Sequence, residues 1–102
     1  MWEVDNLRMR QAVEDMVERA LRERLLSFTE VAELLFCTPL QPSDSPTPEA
    51  VRDAVGRRLR QQTDPLSRSV EEVATRYGDE PELARRRMRW SMGLVSAAYF
   101  QV

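Results

Sequence analysis

The sequence contains no histidine and no lysine, and Cys37 is its only cysteine. Without histidine, the chain cannot build a cysteine–histidine zinc site, a serine–histidine–aspartate triad or a cysteine–histidine dyad. Without lysine, it lacks the phosphate-binding lysine of a P-loop and any Schiff-base chemistry. Its three glycines are scattered, at positions 56, 78 and 93, so no glycine-rich phosphate loop exists either. These absences exclude most of the common catalytic classes.

The residue types that remain give no positive argument for catalysis. Acidic neighbours such as Glu14–Asp15 and Glu71–Glu72 point about 100° apart on a helix, so they do not form a catalytic pair. A single cysteine excludes an internal disulfide and is compatible with a reducing cytoplasm. No basic residue stands close to Cys37 in sequence, so we expect an inert thiol. We therefore predict a binding protein rather than an enzyme, with no metal and no cofactor.

Long hydrophobic runs are also missing. No stretch approaches the ~18 consecutive apolar residues of a membrane span, and the segment 1–5 has neither the basic nor the apolar part of a signal peptide. We expect a cytoplasmic protein without membrane contact. With 102 residues, 42% of them hydrophobic and 31% charged, the composition predicts one globular domain over 1–102.

No segment alternates as a strand does, and the periodicity predicts an all-α fold, a compact bundle of about five helices. The first helix, over 4–26, places a set of apolar residues on one stripe: Met9, Val13, Met16, Val17, Ala20 and Leu21. Part of this stripe imitates a coiled-coil seam, but charged residues end it after two heptads. We interpret it as the core-facing side of the helix.

Two start signals predict the next helices. Ser27 and Glu30 form the S-x-x-E pattern of a capping box, which predicts a helix from Phe28 that stops before Pro39. Thr47 followed by Pro48 predicts a third helix running to about residue 61. Between them lies a proline-rich segment, 38–48, which we interpret as a stiff surface loop in which Asp44 makes a turn.

Gly56 lies inside the third helix, where it indicates close packing with a neighbouring helix. Further on, Ser69 and Glu72 repeat the capping-box pattern, which predicts a short helix through Tyr77. Gly78 is placed to end that helix, and a last helix follows over 79–100.

The spacing of Ala74, Gly78 and Leu83 is close to that of a helix-turn-helix unit, which we place at 69–90. Its second helix presents Arg85, Arg86 and Arg89, three candidates for contacts to DNA phosphates. Two observations count against this interpretation: the helix starts with acidic residues at 79, 80 and 82, and the whole chain has a net charge of −2.

The last helix is apolar over more than half of its circumference, so it is either central in the domain or shared with another chain. Five residues are candidates for a partner or homodimer interface: Trp90, Gly93, Leu94, Ala97 and Tyr99. Arg87 lies inside the apolar arc, where we expect it to snorkel or to pair with an acid, for example one from the first helix.

Two functions remain open. The first is a small transcription-associated regulator that contacts DNA phosphates through the 69–90 unit and dimerises through the last helix. The second is a protein–protein interaction or oligomerisation module that uses the wide apolar face of the last helix and binds no nucleic acid.

Overall fold

Residues 2–100 form five α-helices and one 3-10 turn. The computed structural model describes the backbone of residues 2–100 and the side chains of residues 7–100. The helices are α1 (Trp2–Arg22), α2 (Phe28–Phe36), α3 (Pro48–Gln61), α4 (Pro65–Asp79) and α5 (Pro81–Tyr99), and the 3-10 turn is Pro42–Asp44. Residues 2–100 contain no strand. The predicted all-α bundle is therefore confirmed.

The start signals of α2 and α3 act as the sequence predicts. The Ser27 hydroxyl accepts a hydrogen bond from the Glu30 amide at 3.1 Å, and the Glu30 carboxylate accepts one from the Ser27 amide at 2.8 Å. At α3, the Thr47 hydroxyl accepts from the Ala50 amide at 3.1 Å, and Pro48 is the first helical residue. These side chains satisfy amide groups that the first turn of a helix leaves without partners.

The proline-rich segment crosses the surface between α2 and α3. Its 3-10 turn is closed by Asp44, whose carboxylate accepts a hydrogen bond from the Gln41 amide at 2.8 Å. Ser45, directly after it, has a φ of 45°, in the left-handed region. The turn that we predicted at Asp44 is confirmed.

The main core forms where α2, α3 and α5 meet. Its fully buried apolar residues are Val31, Ala32, Leu34, Leu35, Val51, Val55 and Val95. A second, smaller cluster joins Phe36 of α2 to Val73 of α4 and Ala84 of α5. Helix α5 packs against α2, α3 and α4, and α2 likewise packs against α3, α4 and α5, so these two helices form the centre of the bundle; a central position is one of the two placements that the wide apolar arc of α5 allowed.

Helix α4 begins earlier and ends later than we predicted. Pro65 is its first residue and Ser69 lies buried in its second turn, so the Ser69 capping box is wrong. Proline suits the first turn of a helix, and Pro65 starts this one. Gly78 lies inside α4 with ordinary helical geometry, and the helix ends at Asp79, before Pro81.

Because of these different helix bounds, the residues that match the helix-turn-helix spacing do not make the contacts of such a unit. Gly78 does not make the turn between α4 and α5, and a Cβ on it would meet no atom within 4 Å. Ala74 and Leu83 are both exposed, so neither lies at a contact between the two helices. The chain turns at Glu80, because the proline at 81 disfavours helical geometry in the residue before it.

Helix α1 turns only part of its predicted stripe toward the core: Val13, Ala20 and Leu21 are half-buried, in agreement with the pattern. Val17 is buried at 1% exposure, as expected, but Met9 and Met16 are 56% and 53% exposed. Arg10 instead faces α3, with its Nε 3.1 Å from Asp53 Oδ1. The interpretation of both methionines as core residues is therefore wrong: α1 packs mainly on α3, and one neighbour covers one side only.

None of the helices within residues 2–100 combines the length and the apolar character needed to cross a membrane.

The three glycines differ in their surroundings, which predicts different effects of alanine. A Cβ at Gly56 would stand 3.3 Å from Val13 Cγ1, which confirms the close packing predicted there, whereas a Cβ at Gly93 would meet nothing within 4 Å. Both glycines lie in helices, and alanine has a higher helix propensity than glycine, so alanine should favour the folded state at each position. We expect Gly93→Ala to raise the free energy of unfolding by about 0.5–1 kcal/mol. Gly56→Ala should gain less, since Val13 must move. Urea unfolding measures both, and an equal gain would contradict the close contact.

Candidate functional site

The side chain of Arg87 joins α5 to the end of α2. Its Nε donates a hydrogen bond to the Phe36 carbonyl at 2.8 Å, and its Nη2 donates to the carbonyls of Thr38 and Leu40, both at 2.9 Å. These carbonyls stand where α2 ends, and a helix C-terminus attracts a positive charge. Arg87 thus has backbone partners, and the acidic partner that we considered, from the first helix, is not observed.

Two aromatic rings lie against the same guanidinium group. Arg87 Cζ is 5.5 Å from the centre of the Phe36 ring and 4.9 Å from that of Trp90. A cation over an aromatic ring is attracted by the partial negative charge on the face of that ring. Burial, together with the nearby positive charge of Arg76, lowers the pKa of Arg87. The guanidinium is therefore held by hydrogen bonds and aromatic rings rather than by a carboxylate.

A hollow of about 310 Å³ opens beside Arg87, and we call it the arginine hollow. It contains three arginines from two helices: Arg76 of α4, and Arg86 and Arg87 of α5. The complete lining is Gln41, Pro42, Arg76, Glu80, Leu83, Ala84, Arg86 and Arg87. Three guanidinium groups around one space favour an anion, although Glu80 reduces the local positive charge.

Arg76 is the residue of this hollow that sequence reasoning missed. It lies on α4, nine positions before Arg85, and its helix was predicted to end one residue after it. No sequence pattern pointed to it, because Arg76 and Arg86 meet through the packing of α4 against α5.

The three predicted phosphate-contacting arginines are all exposed on the outer side of α5, but they are not equivalent. Arg85 Nη1 lies 2.8 Å from Glu82 Oε1, an ion pair within the same helix. Arg86 lines the arginine hollow. Arg89 is exposed one turn further along and makes no ion pair within the described part of the chain. Arg86 and Arg89 are therefore the members of this group that keep their charge available.

The five predicted interface residues do not share one surface. Trp90 is half-buried beside Arg87, and Leu94 and Tyr99 are half-buried against the main core. Only Gly93 and Ala97 are exposed on the outer side of α5. Much of the wide apolar arc is thus occupied by contacts within the chain.

Cys37 lies half-buried at the end of α2 and donates a hydrogen bond from its thiol to the Ser69 carbonyl, 3.6 Å away. Burial raises the pKa of the thiol to about 11; the negative charge of Glu72 acts in the same direction, and Arg58 opposes it. A thiol that stays protonated at neutral pH is a poor nucleophile, in agreement with the inert role expected from the sequence.

No group of three or more acidic or cysteine side chains within the described residues is arranged to hold a metal ion.

Comparisons with protein-family models, with curated protein sequences and with solved structures give no match for this chain. Its candidate functional surfaces are consequently defined by their own residues: the arginine hollow, and the exposed arginines of α5 that continue it.

Replacing Arg87 should destabilise the fold strongly. Arg87→Met removes three hydrogen bonds and leaves three carbonyls without their donor, so we expect the free energy of unfolding to fall by about 2–4 kcal/mol. Arg87→Lys keeps the charge but loses the planar fork, and should lose roughly half as much. The matched control is Arg86→Met on the exposed neighbour, which should change stability by less than about 0.5 kcal/mol. Equal losses for Arg86→Met and Arg87→Met in urea unfolding would contradict this role.

The raised pKa of Cys37 predicts slow chemistry and a dependence of stability on pH. Because the pKa is about 11 in the folded protein and 9.0 in an exposed thiol, alkylation by iodoacetamide at pH 8 should be about 100-fold slower in the folded protein than in urea. The folded state holds this proton more tightly, so its contribution to stability is complete below pH 9 and is lost as the pH rises toward 11. Cys37→Ala should remove that contribution.

Proposed function

We propose that this protein binds the phosphate groups of nucleic acid through a basic surface formed by Arg76, Arg86 and Arg89. The observation that carries the proposal is the meeting of Arg76 and Arg86, from two different helices, at one hollow beside Arg87. Arg89 extends this surface by one turn along α5. We refer to these three residues as the basic surface.

The chemistry of guanidinium groups suits this ligand. Arginine presents planar donors that match two oxygens of one phosphate, and it keeps its charge at every physiological pH. Arg87 also lines the hollow, and its hydrogen bonds use Nε and Nη2, whereas Nη1 makes none within the described residues. These arginines suit contacts to the phosphate backbone. Such contacts fix the position of a protein on the nucleic acid but do not read its base sequence.

The local charge balance makes the expected binding moderate. Segment 76–89 carries five arginines against three acidic residues, whereas the whole chain has a net charge of −2. Glu82 neutralises Arg85 at 2.8 Å, and Glu80 lines the hollow itself. We therefore expect an affinity in the micromolar range at low salt, with a steep dependence on ionic strength.

A protein–protein interaction module is the second candidate, and a specific observation favours it. Beyond Arg89, α5 exposes 42% of the apolar residue Met92, and the small residues Gly93 and Ala97 are exposed as well. Binding of a protein partner there should survive changes at Arg86 and Arg89 but fail in Gly93→Leu.

Fluorescence anisotropy with a mixed, GC-rich pool of duplexes tests the nucleic-acid function. Three phosphate contacts predict that affinity falls about 40-fold between roughly 50 and 200 mM salt. Each of Arg76→Ala, Arg86→Ala and Arg89→Ala should weaken binding and lower the salt slope by about 1.

Arg22→Ala is the matched control for these variants, since Arg22 is an exposed arginine that lines a space with Tyr99 and Phe100, at the opposite end of α5. It should bind as the unmodified protein does. Absence of binding at about 50 mM salt, or an equal loss in the control, would contradict the proposed function.

A further inference from the structure

Helix α1 leaves a continuous apolar strip uncovered. Met9 and Met16 are seven residues apart and lie on the same side of the helix, and both are more than half exposed. Ala12, midway between them, is exposed as well. We call these three residues the methionine face. On the opposite side, Val17 is buried and Arg10 pairs with Asp53 of α3, so the position of the helix in the fold is fixed.

Two opposite charges border the methionine face along one edge. Arg8 and Asp15 are also seven residues apart, so they lie on the same side, and both are exposed. Asp15 Oδ1 accepts a hydrogen bond from Gln11 Nε2 at 3.0 Å, and its second oxygen makes no hydrogen bond within the described residues. The edge is therefore positive near the start of the helix and negative one heptad later.

We propose that two copies of this protein pair through their methionine faces, with the two α1 helices antiparallel. A twofold axis beside Ala12 would place Met9 of each copy against Met16 of the other. The same axis would place Arg8 of each copy opposite Asp15 of the other, so the opposite charges meet twice. Ala12 lies at the crossing, where a small side chain lets two helices approach closely.

The charges favour this arrangement over the alternatives. A parallel pair would set the edge that carries Arg8 and Asp15 against the other edge of the second copy, so these two charges would not meet. An antiparallel pair shifted by one heptad would bring the two Asp15 side chains together, and would set Arg8 against Arg22 and Met9 against Glu23. Both arrangements lose the contact between opposite charges, and like charges at close range are destabilising.

This inference goes beyond the proposed function, because no residue of the methionine face lies on α4 or α5. One pair of helices buries less surface than the roughly 1,000 Å² of a stable complex. We therefore expect a weak dimer, with a dissociation constant of tens to hundreds of micromolar, that weakens as salt screens the exposed charges.

Sedimentation velocity over roughly 10–500 µM protein at low salt tests the proposal. The unmodified chain should pass from monomer to dimer in this range, and Met16→Glu should weaken association at least 10-fold. The matched control is Val70→Glu, which introduces the same charge at an exposed apolar residue of α4 and should associate as the unmodified chain does. Circular dichroism confirms that each variant is folded.

Charge reversal distinguishes the antiparallel pairing from other contacts. Arg8→Asp alone and Asp15→Arg alone should each reduce self-association, because each creates two repulsive pairs. A mixture of the two variants should restore the dimer, since opposite charges then meet at both positions. A monomer at every concentration, a mixture no stronger than its components, or a Val70→Glu variant as weak as Met16→Glu would each overturn the proposal.

Discussion

The insertion of Arg87 between α5 and the end of α2 is the interaction on which the rest of the structure depends. One guanidinium group holds the carbonyls of Phe36, Thr38 and Leu40, the point at which the chain leaves α2 and enters the proline-rich loop. The last carbonyl groups of a helix have no partner within that helix, so they need hydrogen-bond donors from elsewhere when they are buried. Arg87 supplies these donors from α5, and so fixes where the loop begins.

Other hydrogen bonds from side chains to backbone carbonyls also link α5 to α2 and α3. The Ser91 hydroxyl donates to the Ala32 carbonyl at 2.6 Å, and Arg52 Nη1 donates to the Ala98 carbonyl at 2.9 Å. Apolar burial supplies most of the stabilisation in a domain of this size, but it is not directional. These side-chain-to-backbone bonds add direction, and they set the rotation of α5 that turns Arg86 and Arg89 outward.

Local patterns in the sequence predicted the helices, but they did not predict the contacts between helices. The caps at Ser27 and Thr47 work because each involves residues at most three positions apart. The Ser69 pattern failed because Pro65 had already started α4, which left Ser69 inside it. The partners of Arg87 lie 47 to 51 positions away along the chain. No periodicity encodes such a distance, so the arginine hollow could be predicted only in part, from Arg86.

The choice of arginine at position 87 also determines how this junction can be regulated. A guanidinium stays protonated across the whole physiological range of pH, even with the lowered pKa of a partly buried site. The absence of lysine means that acetylation has no side-chain amine to neutralise anywhere in the chain. The contact between α5 and α2 therefore keeps its positive charge across the physiological range of pH, and lysine acetylation cannot remove that charge.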